Sequence, residues 1–144
     1  MDNITFKLVA SDEELRGAFE VRRRVFIQEQ GVPEDLEYDG LDEEALHMVV
    51  KNGERVIGTA RVRFLTTNQA KIERMAVLRP FRRKGIGRNI ISFLKRELES
   101  KQIEHVVLHA QCEVIPFYKS CGFEEIGPTF WEAGIKHVKM QRRL

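Results

Sequence analysis

Thiols are scarce in this chain. Cys112 and Cys121 are its two cysteines, too few for a disulfide framework and outside any CxxC spacing, so a reduced protein is expected. Long apolar runs are missing too: no segment approaches the roughly 18 consecutive apolar residues of a membrane span. The opening MDNITFKLVASDEE has neither the basic start nor the apolar stretch of a secretory signal, and the expected compartment is the cytoplasm. Four prolines and a 42% hydrophobic content argue against disordered or fibrous classes. A net charge of only +2 leaves no excess for general nucleic-acid binding, and the basic residues lack interleaved exposed aromatics. His47, His105, His109 and His137 show no recognised metal-ligand spacing, so no metal is expected.

What remains is an ordinary globular composition, long enough at 144 residues to bury a core as one domain over 1–144. Ile4 to Val9 alternates as a short strand. Ser11 followed by Glu14 is a capping box that starts a helix, whose apolar face reaches about Gln28 before Gly31 and Pro33 end it. Arg22 to Arg24 reads as solvated or paired with the acidic loop that follows. That loop, Gly31 to Glu44, has no clear periodicity; it is either a solubilising surface or a lure for a cationic acceptor. Ala45 to Lys51 and Arg55 to Leu65 form a hairpin around Asn52 and Gly53. Gln69 to Leu78 is the next strand, with Glu73, Met75 and Val77 on one face. Gly85 to Ser100 is a helix with Ile86, Ile90, Ile91, Leu94 and Leu98 as its apolar stripe. Glu104 to Gln111 is a central strand, Ile115 to Ser120 a short helix, and Phe123 to Ile126 with Lys136 to Gln141 a closing hairpin.

The chemistry concentrates in KIERMAVLRPFRRKGIGR, Lys71 to Arg88. A strand breaks at Pro80, and Arg82, Arg83, Lys84, Gly85, Ile86 and Gly87 then lead directly into the long helix. Glycines let a ligand approach the backbone, the first helical turn leaves N–H groups without partners, and the helix dipole favours negative charge there. Arg79, Arg82, Arg83, Lys84, Arg88, Lys95 and Arg96 follow one another with no acidic residue between them. A di- or polyphosphate therefore suits the stretch better than one carboxylate. The loop lacks the GKS or GKT of a Walker A site. It also fails the dinucleotide fingerprint, because position 90 is Ile where a third glycine is required.

RMAVLRPFRRKGIG, the helix after it, the strand VVLHAQ and then VIPFYKSCGF together resemble the GNAT superfamily of acyl-CoA-dependent N-acyltransferases. RRRVFIQEQGVP and GIKHVKM further resemble a small bacterial branch typified by YjcF-like proteins. The resemblance implies an α+β, three-layer fold with a central mixed, mostly antiparallel, twisted sheet and helices on both faces. It implies acetyl-CoA as co-substrate, with its pyrophosphate held around Arg82, Arg83, Lys84, Gly85, Ile86, Gly87 and Arg88. Met75, Ala76 and Val77 would line the acyl and pantetheine path through their backbone. Gln111 stands where relatives often have an asparagine and would bond the pantetheine arm. Tyr118 matches a tyrosine that protonates the leaving thiolate.

The reaction so implied is direct transfer of acetyl to a primary amine, of a small molecule or a peptide, in a ternary complex. Glu73 is the candidate base, directly or through water; holding a cationic acceptor or pairing with Arg74 are its alternatives. A noncatalytic acyl-CoA-binding or sensor module is the rival function. Covalent catalysis by Cys112 with His109 is disfavoured, since residues three apart on a strand face opposite sides. The protein is expected to work as a monomer or homodimer.

Overall fold

A computed structural model describes residues 3–144. Ser11 caps the first helix by accepting a hydrogen bond from the Glu14 backbone N–H at 3.1 Å, and Glu14 reaches back to accept from the Ala10 N–H at 2.8 Å. One of the donors that every helix start leaves unpaired, the Glu14 N–H, is thereby satisfied, and the N–H of Ala10 just ahead of the cap is bonded as well. The chain runs β1 (Ile4–Leu8), α1 (Asp12–Arg22), a π-helical continuation over Arg23–Glu29, α2 (Glu34–Glu37), β2 (Leu46–Asn52), β3 (Arg55–Phe64) and β4 (Gln69–Val77). A short 3₁₀ turn at Arg79–Phe81 leads to α3 (Ile86–Ser100), β5 (His105–Gln111), a second 3₁₀ turn at Cys112–Val114, α4 (Ile115–Ser120), β6 (Glu124–Glu132) and β7 (Ile135–Arg143).

The strands form one sheet in the order β1-β2-β3-β4-β5-β7-β6, antiparallel throughout except between β4 and β5. The α3 stripe of Ile86, Ile90, Ile91, Leu94 and Leu98 is buried as its spacing predicts. It joins Ile72, Val106, Leu108, Val138, Met140 and Phe123 in the core on one sheet face. Burying each such side chain contributes about 1.5–3 kcal/mol. α1 lies on the other face, where Glu14 contacts Lys51 of β2.

The strand expected over Gln69 to Leu78 is present, but its faces differ from strict alternation. β4 pairs with β3 as Arg61↔Glu73 and then Thr59↔Ala76, so Arg74 and Met75 together oppose Ala60. β3 stays regular against β2 here, which assigns the extra residue to β4, and Arg74 takes the left-handed φ of +53°. Thr59 and Arg61 share a face, so Glu73 and Ala76 share it too, while Val77, opposite Gly58, lies on the α3 face. Glu73, Met75 and Val77 do not share one face, because the bulge inverts the alternation.

The closing hairpin is longer than its sequence signal. β6 and β7 pair out to Glu132↔Ile135 across Ala133 and Gly134, both at positive φ. Gly127 and Pro128 fall at an irregularity of β6, which as an edge strand tolerates a residue without an N–H. Within the expected acidic loop, Glu34–Glu37 forms one helical turn.

Candidate active site

The parallel ladder between β4 and β5 runs from Gln69↔His105 to Ile72↔Leu108 and stops there, although β4 continues to Val77 and β5 to Gln111. Beyond that point each strand is paired on its outer side only, β4 with β3 and β5 with β7. A gap therefore opens in the middle of the sheet. Its walls are backbone edges of Glu73–Val77 and His109–Gln111 without a strand partner, able to bond a ligand that lies between them as a strand would.

The basic loop and α3 stand beside this gap. Gly85 is the residue before the helix, at φ +83°, and a Cβ built on it would meet nothing within 4 Å. The first bond into α3 is the Asn89 N–H donating to the Gly85 carbonyl, so the amides of Ile86, Gly87 and Arg88 precede the helical ladder. The Ile86 side chain is in the core, which leaves its backbone for any ligand. Gly87 is small for a reason of packing: a Cβ there would sit 3.2 Å from Phe117 Cζ and 3.8 Å from Met75 Cε. α3, α4 and the β4 bulge meet at that point.

The cations of the loop are not equivalent. Arg82 donates from Nε to the Val77 carbonyl at 2.7 Å and pairs with Glu29 at 2.9 Å, which tethers the loop to β4 and to the end of the first helical stretch. Hydrogen bonding from Arg82 holds the Glu29 carboxyl below its usual range. Arg88 donates to the Ser120 carbonyl and Oγ, joining α3 to α4. Arg83, at φ +61°, and Lys84 are exposed and make no side-chain hydrogen bond or ion pair among the described residues. Gln111 donates from Nε2 to Gln30 Oε1 at 2.9 Å.

Tyr118 of α4 is half-buried between Phe117 and Phe123, with ring centroids 5.1 and 6.0 Å away. Desolvation, with a smaller push from Cys121, raises its hydroxyl to about 12. The group stays protonated at neutral pH, so the hydroxyl carries a proton at this position.

Glu73 has a different environment from the one its neighbours in sequence suggest. Its carboxylate accepts from the Arg61 guanidinium and, at 2.6 Å, from Arg63 Nε, with Lys71 Nζ at 3.7 Å. Pairing with Arg74 does not occur: Arg74 instead contacts Glu37 at 2.8 Å and Asp39 at 3.1 Å. Burial pushes the Glu73 carboxyl up, but the charge and hydrogen bonds of Arg61, Lys71 and Arg63 outweigh it, and the net direction is down. So engaged, it is a weak proton acceptor at neutral pH.

The same network absorbs much of the acidic loop. Arg22, 1% exposed, is paired with Glu37 and Asp42; fully buried Arg61 is paired with Asp39, Asp42 and Glu73. Of the two readings given for Arg22 to Arg24, Arg22 takes the pairing and the other two sit at the surface against Glu20. The loop is thus clamped onto the sheet, and Glu37, Asp39 and Asp42 are already neutralised. A cationic acceptor would have to find its counter-charge elsewhere. Nothing in the local sequence of Arg61 marks it; it reads as one polar residue in the strand RVIGTARVRF.

On the same face, His109 of β5 donates from Nδ1 to Glu132 Oε1 at 3.0 Å, and His137 Nε2 lies 3.8 Å from the other carboxylate oxygen. Cys112 is in the turn beyond β5, and His109 is turned to this carboxylate.

A split sheet with a glycine-led helix start beside the split is the arrangement expected from the sequence resemblance, and the comparisons agree. The model of the acetyltransferase (GNAT) domain matches residues 7–144, and the chain belongs to this family. It is 35% identical to the uncharacterised N-acetyltransferase YjcF of Bacillus subtilis over 136 residues, 94% of this chain and 96% of that one. Its fold is similar to that of a crystallised Lactobacillus plantarum protein at TM-score 0.92, with 22% identity and 98% of both chains covered. It is also similar to a GNAT family acetyltransferase of Elizabethkingia anophelis with acetyl-CoA bound, at TM-score 0.78 and 15% identity over the whole of both chains. No helix among the described residues is long and apolar enough to cross a membrane.

Proposed function

We propose that this protein transfers an acetyl group from acetyl-CoA to a primary amine by direct attack in a ternary complex. The observation that carries the reading is the gap between β4 and β5 opening beside the α3 start. It offers an extended, amide-bearing arm two unpaired backbone edges, and a pyrophosphate a set of free N–H groups with unpartnered cations beside them. The acetyl-CoA held by the Elizabethkingia anophelis protein supports the choice of ligand.

In this reading Arg83, Lys84 and the amides of Gly85, Ile86, Gly87 and Arg88 hold the pyrophosphate, while Arg82 fixes the loop that presents them. The backbone of Met75, Ala76 and Val77 binds the pantetheine arm and the acyl carbonyl, and the bulge frees an N–H there for the oxyanion. Gln111 bonds the arm from the opposite wall. Tyr118 gives its proton to the thiolate as the C–S bond breaks. Glu73, surrounded by Arg61, Arg63 and Lys71, sets the electrostatics of the acceptor side.

Two measurements test this. Acetyl-CoA at 100 times its dissociation constant should stabilise the native state by about 2.7 kcal/mol, visible as a raised melting temperature. Purified protein with acetyl-CoA and putrescine, glucosamine, lysine or glycinamide should release free CoA. No thermal shift and no calorimetric binding would remove the co-substrate; binding without release to any amine would replace the enzyme with an acyl-CoA sensor.

A further inference from the structure

The proposed reaction needs a base for the acceptor nitrogen, and Glu73, paired with three cations, is poorly suited to be one. The sheet register points to another group. Lys71 and Val107 are partners across the parallel ladder, so Glu73 and His109, each two residues further on, lie on one face as the first residues on either side of the gap. One is a carboxylate already occupied by Arg61, Arg63 and Lys71. The other is an imidazole, 27% exposed, with a carboxylate behind it.

Its protonation pattern follows from its partner. An ionised carboxylate only accepts, so Nδ1 of His109 carries the proton and, in the neutral ring, Nε2 presents a lone pair. Hydrogen bonding from His109 holds the Glu132 carboxyl below its usual range, which keeps it ionised. Phe130 packs edge-on against the His109 ring at 4.9 Å and stacks against His137 at 5.9 Å, fixing both. The other histidines are committed elsewhere. His105 is bonded at both nitrogens, to Gln69 and Gln141; His137 is 8% exposed with Nδ1 on the Ile135 carbonyl; His47 lies on β2, two strands away from β4.

Resting on the acetyltransferase reading, we infer that His109 is the catalytic base for the acceptor amine and that Glu132 is its positioning residue. The amine nitrogen attacks the acetyl carbonyl carbon, forming the C–N bond and an oxyanion. His109 Nε2 takes one proton from that nitrogen. The oxyanion then collapses, the C–S bond breaks, and the sulfur receives the Tyr118 proton. Solvent returns a proton from imidazolium to tyrosinate, so amide and free CoA are the net products. The charged groups around the His109 ring are Glu132 and His137 from the closing hairpin, its register partner Lys139 on β7, and Lys71 and Glu73 from β4.

The test uses acetyl-CoA and whichever of putrescine, glucosamine, lysine and glycinamide gives most CoA release with the natural chain. His109→Gln should lower kcat about 100-fold or more with the acetyl-CoA thermal shift unchanged, and free imidazole should restore part of the rate. Glu132→Gln should move the acidic limb of the kcat/KM profile to lower pH, because losing the carboxylate disfavours the charged ring. Should His109→Gln fail to fold, that profile decides. Release by His109→Gln within threefold of the natural chain, or an unmoved profile in Glu132→Gln, overturns the assignment of His109 and leaves the acetyltransferase reading standing. Absence of release by the natural chain with all four amines overturns both.

Discussion

Arg61→Met separates the charge network from the bulk of the side chain. Methionine keeps much of the volume, but Asp39, Asp42 and Glu73 lose their shared partner. Removing one side of a buried ion pair costs about 3–5 kcal/mol. Asp39 and Asp42 keep some water contact, at 25% and 19% exposure, which argues for the lower end. Domains of this kind are stable by roughly 5–15 kcal/mol in all, so the loss is large. At about 2–4 °C per kcal/mol, a loss of about 3 kcal/mol lowers the melting temperature at pH 7 by ~6–12 °C. The pH dependence has a definite sign. In the native chain Asp39, Asp42 and Glu73 all have lowered folded-state values. Their contribution is whole above the unfolded carboxylate range, near pH 4, and drains as the pH falls below it. In Arg61→Met, Asp39 keeps Arg74, Asp42 keeps Arg22 and Glu73 keeps Arg63 and Lys71, so the carboxylates are compensated only in part and protonation relieves the remainder. The gap between the two melting curves should therefore narrow on acidification. Circular-dichroism melts from pH 7 to pH 3.5 measure it. A drop under 2 °C at pH 7, or a gap that does not change with pH, refutes the network as a stabilising device.

Gly85→Ala places a Cβ in open space but in a left-handed conformation, so it should cost about 1–2 kcal/mol by chemical denaturation and weaken acetyl-CoA binding by calorimetry. Gly87→Ala meets Phe117 and should weaken that binding at smaller loss of stability; equal affinity in both variants would separate the α3 start from the co-substrate. Tyr118→Phe should lower kcat while leaving the acetyl-CoA dissociation constant within about twofold, because the hydroxyl acts on charge that forms in the transition state. Unchanged turnover would take Tyr118 out of the acid role.

Most of the elements were legible because their signals are local. The Ser11–Glu14 box, the Asn52–Gly53 turn and the α3 stripe each carry a period or a cap within a few residues. The bulge at Arg74 carries none: a left-handed arginine leaves no mark in composition, and strict alternation then assigns Val77 to the wrong face. The length of the last hairpin was hidden by an Ala-Gly turn, a weaker signal than Asn-Gly, and by Pro128, which an edge strand accepts. In the candidate site, the glycine loop and Tyr118 come from one contiguous stretch each, and sequence brings them forward together. Arg61 with Asp39, and His109 with Glu132, are separated by 22 and 23 residues; only the register makes them neighbours.

The short parallel seam of β4 and β5 also bears on stability. The strands β1 to β4 follow one another as antiparallel neighbours, and β5 to β7 form a second antiparallel group; four register pairs, Gln69↔His105 to Ile72↔Leu108, join the two within the sheet. Outside the sheet the two groups share one hydrophobic core, to which α3 contributes Ile86, Ile90, Ile91, Leu94 and Leu98. A ligand bonded to both walls of the gap is in effect a further rung between the groups. Its binding then adds stability at the place where the sheet is joined by the fewest register pairs.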